Sequence, residues 1–232
     1  MPTTNDIKAI STTIDDITCN DCLHDAIPFE KVNVEYRKGA KRVGIFCSSS
    51  PTLPPKYYES ASKFGRLLAE HGCALIYGGG SWGMMGTIAS SAYESGLPTN
   101  SIVGIIPSFM SSTAGRCYGQ TVLVPTMSAR KSLINDLSDV FVALPGGFGT
   151  LDEVTEMLTW NQLGYINKLI AFLNTDGFYD GLWNWMQKAV ADGFIRPVFV
   201  DNIIISDTPE QLIHEILSRN VCPVDGKFFT KG

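Results

Sequence analysis

The segment Pro145-Gly146-Gly147-Phe148-Gly149-Thr150 follows an apolar run at 140–144 and leads into a helical pattern. Glycines let several backbone N–H groups converge with no Cβ in the way. A helix start adds a partial positive charge and unpaired donors, so the two together suit a small anion such as a monophosphate. No Lys follows these glycines, so the segment is not a Walker A loop, and nucleoside triphosphate hydrolysis is not expected. A second glycine loop, Gly78-Gly79-Gly80-Ser81-Trp82-Gly83, also follows an apolar run and matches G-x-G-x-x-G. A dinucleotide would need an acidic residue about 20 positions on for the ribose hydroxyl. Residues 96–120 contain no Asp or Glu, which sets NAD aside. The loop is then either a tight strand-to-helix turn or one wall of a nucleotide pocket.

Glu153 admits two readings. Thr150-x-x-Glu153 has the spacing of a capping box, and spacing alone favours that role. The rival reading aims Glu153, and Glu156 three residues on, at one pocket. Arg130 and Lys131 raise a related question. If Thr126 or Ser128 caps their helix, both cations fall in or near its first turn. Positive charge there opposes the helix dipole by up to about 1 kcal/mol. Either solvent screens them, or an anionic ligand or Glu153 offsets the charge.

Other chemistry is sparse. His24, His71 and His214 are scattered, with no zinc spacing and no GxSxG elbow, so no metal is expected. The cysteines at 19, 22, 47, 73, 117 and 222 do not space out as a disulfide framework. Cys19-x-x-Cys22-x-His24 lacks a second ligand pair and reads as incidental. Residues 1–40 lack the apolar stretch of a secretory leader, and no run is long enough to span a bilayer, so the cytoplasm is expected.

The elements that must hold these loops alternate along the chain. Strand candidates lie at 43–47, 73–77, 102–106, 121–124, 140–144, 169–173 and 203–205, short continuous apolar runs of the kind covered on both faces. Helical patterns fall between them: one that starts near Pro55 and ends before Gly72, one stopped at 96–98, then 128–137, 151–163, 178–191 and 209–217. Alternation of this kind implies one parallel, doubly wound α/β sheet. The 232 residues divide into an extension at 1–40, one domain at 41–220 and a tail at 221–232. Ligands in such a sheet sit beyond the carboxyl ends of the strands, which singles out 48–50, 78–83 and 145–150, with Ser48, Gly79 and Gly80 as contacts. Net charge is −5, against the basic footprint of a nucleic-acid binder and against docking on anionic membranes. Charged residues make up only 18%, which suggests a buried oligomer face.

Taken in order, the motifs resemble a known family. Pro145-Gly146-Gly147-x-Gly149-Thr150-x-x-Glu153 is similar to the PGGxGTxxE motif of the Lonely Guy family, the cytokinin-activating phosphoribohydrolases. Met127-x-x-Arg130-Lys131 resembles that family's upstream Arg-Lys segment. Gly78-Gly79-Gly80-x-x-Gly83-x-Met85-Gly86 resembles its GGGxxGxMG loop. The likeness covers about 41–218. Asp152 stands where many members have Glu, and Ser111-Ser112 where plant members usually carry an acidic residue. The first 40 residues have no counterpart in compact members.

The resemblance implies a Rossmann-like domain, at least dimeric, that needs neither metal nor organic cofactor. The implied substrate is an N6-modified adenosine 5′-monophosphate, cut at its N-glycosidic bond to free base and ribose 5-phosphate. Arg130 and Glu153 take the catalytic positions. Gly146, Gly147, Gly149 and Thr150 take the phosphate-binding ones, with Lys131 and Met127 nearby. Alternatives are a broad AMP nucleosidase and a nucleotide or molybdenum-cofactor carrier. Glycosidic cleavage passes through an oxocarbenium-like transition state, so a carboxylate beside C1′ can stabilise charge, activate water or attack directly. Arginine stays protonated and suits electrostatic stabilisation better than proton donation.

Overall fold

The structure, a computed structural model, describes residues 26–115 and 117–221. The Cys19–Cys22–His24 group and Cys222 lie outside them. Seven strands form one sheet in the order β4-β3-β2-β1-β5-β6-β7, with every pairing parallel. They are β1 (Arg42–Phe46), β2 (Ala74–Tyr77), β3 (Ile102–Pro107), β4 (Gln120–Val124), β5 (Val140–Ala143), β6 (Leu169–Leu173) and β7 (Ile203–Ser206). The helices are α1 (Pro55–His71), α2 (Gly83–Glu94), α3 (Met127–Leu137), α4 (Phe148–Gln162), α5 (Asp180–Ala191), α6 (Pro197–Asp201) and α7 (Pro209–Ser218). The expected doubly wound α/β fold is therefore present, and strand order reverses direction between β1 and β5.

Strand periodicity sorts the core into two layers. Val140, Val142 and Leu144 face one layer, and Phe141 and Ala143 the other. β6 repeats the pattern, with Leu169, Ala171 and Leu173 against Ile170 and Phe172. Residues from α1, α2 and α7 cover the first face; α3, α4 and α5 cover the second. Coverage on both faces explains why the strands read as unbroken apolar runs.

Three details differ from the sequence expectations. α4 begins at Phe148 rather than Thr150 or Leu151, because Gly147 takes the N-cap position. α6 is a single short turn opened by Pro197, too brief to show a helical period. The described part of the leading segment runs beside β4: Ala26 bridges Thr121, and the Ile27 N–H donates to the Thr121 carbonyl at 2.9 Å. Ile27, Phe29, Val32 and Val34 pack on the second core layer. Among the described residues, no helix is long and apolar enough to cross a membrane.

Candidate active site at the switch point

At the point of strand reversal, the loops after β1 and β5 diverge and leave a crevice, as open α/β sheets do. A cleft of about 630 Å³ opens there. Ser48, Gly80, Met127, Arg130, Gly147, Gly149, Thr150 and Glu153 all line it. Most of the residues singled out from sequence thus converge on one cavity of ligand size.

Arg130 and Glu153 form its charged centre. Thr126 caps α3 by accepting from the Ala129 N–H at 3.1 Å, so Arg130 does enter near the first turn. Its Nη1 donates to Glu153 Oε1 at 2.7 Å, and its Nε donates to the Ile105 carbonyl at 3.1 Å. The two residues are only 8% and 6% exposed, so Glu153 supplies the compensating charge that solvent cannot. Burial pushes the Glu153 carboxyl up, and the Arg130 guanidinium pulls it back part of the way.

The capping-box reading fails. Gly147 is the N-cap, so Thr150 is the third helical residue and Glu153 sits a turn deeper, bonded to Arg130. Thr150 is buried instead against Gly146, where a Cβ would come within 2.0 Å of Thr150 Oγ1. α4 starts with no side-chain cap and no acid in its first turn. A Cβ at Gly147 or Gly149 would meet nothing within 4 Å, so both glycines face open space. An uncapped helix start bordered by open space can receive an anion on its N–H groups.

Some expected partners lie elsewhere. Lys131 does not line the cleft; its Nζ pairs with Asp152 at 3.1 Å and Glu156 at 3.0 Å. Glu156 is thereby also drawn away, which overturns the idea of two carboxylates aimed at one pocket. Gly79 and Gly146 shape the loops without lining the cavity. Sequence reasoning missed Cys47, Trp82 and Met110, all of which line it. Burial and the nearby Glu153 charge push the Cys47 thiol up. Its position at the end of a central strand was the one signal that could have found it.

Fold and cleft together define a doubly wound α/β protein with an uncapped, glycine-lined helix start at its switch point and a buried Arg–Glu pair beside it. A family model described as "Possible lysine decarboxylase" matches residues 85–216, more than half of the chain. The Arabidopsis thaliana cytokinin riboside 5′-monophosphate phosphoribohydrolase LOG2 is 36% identical over 199 residues, 85% of this chain and 91% of that protein. LOG7 of the same organism and description is 36% identical over 184 residues, 78% of this chain and 83% of that protein. The chain belongs to this family, the Lonely Guy family. The molybdenum cofactor binding protein of Rippkaea orientalis shares the fold, with a TM-score of 0.58 at 24% identity over 77% of this chain and 96% of that one.

Proposed function

We propose that this chain hydrolyses the N-glycosidic bond of N6-modified adenosine 5′-monophosphates, the cytokinin riboside monophosphates, to free base and ribose 5-phosphate. The observation that carries the reading is the buried Arg130–Glu153 pair set beside the uncapped start of α4. Relatives at 36% identity bear this activity in their names. The 5′-phosphate rests on the N–H groups of the α4 start, with the Thr150 hydroxyl beside them. That anchoring sets C1′ of the ribose against Glu153, so binding energy remote from the reaction accelerates it. As the glycosidic bond lengthens, positive charge grows on the ribose and negative charge on the purine. The Glu153 carboxylate stabilises the first and activates the attacking water. Arg130 offsets part of the cost of that charge in a buried site, and its remaining N–H groups meet negative charge on the substrate.

We also infer a homodimer or larger assembly in the cytoplasm. The low charged fraction and the exposed Leu163, Tyr165 and Trp185 support association. The buried thiols of Cys47 and Cys73 fit a reducing compartment.

The test compares isopentenyladenosine with its 5′-monophosphate. Losing the phosphate forfeits several charge-assisted bonds, so kcat/KM should fall by about 10²–10⁴ for the riboside. Equal values would reduce the glycine loop to a turn and end the reading. Binding of the monophosphate with no release of base would favour a carrier.

A further inference from the structure

The cleft is unlike at its two ends. Its β5 end carries the α4 start, and the Arg130–Glu153 pair, where the reaction proposed above takes place, reaches from α4 to the Ile105 carbonyl of β3. The strand order β3-β2-β1-β5 puts the other end of the cleft at the loops that follow β2 and β3. The walls there are apolar: Met85, Ile106, Pro107 and Met110, closed by Trp82. A nucleotide with its phosphate at α4 therefore directs its base to this end.

The closing wall is a separate piece of chain held to the second glycine loop. The 3₁₀ segment Ser108–Thr113 and the following Ala114 fold over that loop. The Ser81 N–H donates to the Ala114 carbonyl at 2.9 Å, and the Ser81 hydroxyl donates to it at 3.2 Å. Cys117 Sγ donates to the Gly79 carbonyl at 2.9 Å. The shortest bond in this set comes from Trp82, whose indole Nε1–H donates to the Thr113 carbonyl at 2.7 Å. Trp82 nevertheless stays 54% exposed, so neither core packing nor burial accounts for an indole at this position. A large flat ring in water, lining a ligand cleft and pinning the opposite wall through its one polar atom, has a recognition role to fill.

We propose that Trp82, through its bond to Thr113, sets the width and apolar character of the base end and so selects nucleotides with an apolar N6 substituent over AMP. This rests on the hydrolase reading and adds a specificity-determining residue to it. The indole supplies contact area to the substituent. The N–H bond keeps the Met110-bearing segment close enough to cover its other side.

The experiment measures kcat and KM for isopentenyladenosine monophosphate and for AMP in the full-length wild type, Trp82→Phe and Trp82→Ala. Phe keeps a ring and loses the bond; Ala loses both. The ratio of the two kcat/KM values should fall about threefold to tenfold in W82F, as for one lost hydrogen bond, and further in W82A. The change should sit in KM for the isopentenyl substrate. An unchanged ratio in both variants, with wild-type turnover intact, overturns the proposal and leaves the hydrolase reading standing. An equal fall in kcat for both substrates overturns it too, because that marks a structural role only. A wild type that releases base from neither nucleotide overturns the hydrolase reading and the proposal with it.

Discussion

The Arg130 guanidinium occupies the space that any side chain at Gly78 would need: a Cβ there would come within 1.9 Å of Arg130 Nη2. The first glycine of the second loop thus leaves the room that the Arg130 guanidinium fills. Gly78→Ala must push the guanidinium off its bonds to Glu153 and Ile105. We expect stability to drop by about 1–3 kcal/mol, as for overpacking, and kcat to drop by up to about 10²-fold from misplacement. Thermal unfolding and turnover read the two effects. A variant with wild-type kcat would show that Arg130 finds another productive pose.

Glu153→Gln keeps an acceptor for Arg130 and removes the negative charge. Turnover should fall by about 10²–10⁴, with AMP affinity within several-fold by calorimetry. Near-normal turnover would move the catalytic role to another residue.

The pH dependence follows from burial. The Glu153 carboxyl is held above the ordinary glutamate value of 4.5, so on acidification it gains a proton before a free glutamate would. The acid limb of kcat/KM should therefore fall above pH 4.5. The folded state binds this proton more tightly than the unfolded chain does. The group's contribution to stability is then present below the unfolded pKa and lost as pH rises through the folded one. An acid limb at or below 4.5 would count against Glu153 as the base.

The segment beside β4 should matter to stability. Ile27, Phe29, Val32 and Val34 are half-buried against the core, and the Ala26 bridge covers an edge strand. Truncation to residue 39 should be about 3–5 kcal/mol less stable than truncation to residue 26, at roughly 1 kcal/mol per half-buried side chain. Denaturant unfolding of the two proteins measures the difference, and coincident curves would refute it.

The sheet was legible because its strands are covered on both faces, which forces unbroken apolar runs such as 140–144 and 169–173. Helix ends were less so. Thr150-x-x-Glu153 imitates a capping box, while the true N-cap, Gly147, has no side chain to announce itself. The loops after β2 and β5 were found from their glycines as well as their place after strands, and the loop after β1 from its place alone. Side-chain direction was not legible. Arg130 and Lys131 are adjacent, yet one turns into the cleft and the other pairs with Asp152 and Glu156. Nothing in the spacing marks the Trp82–Thr113 bond, which joins two loops across 31 positions.

The reversal of strand order has a consequence for how the chain is made. β1 lies between β2 and β5, and its first residue, Arg42, is bonded to Asp139, 97 residues later. On a ribosome adding about 5–20 residues per second, β2 emerges soon after β1, while β5 follows about 5–20 s behind it. Throughout that interval the Val43–Phe46 edge, destined for the centre of the sheet, has one neighbour and an open row of backbone donors and acceptors. Slowing translation between residues 78 and 140 therefore lengthens the time for which that edge stays unpaired.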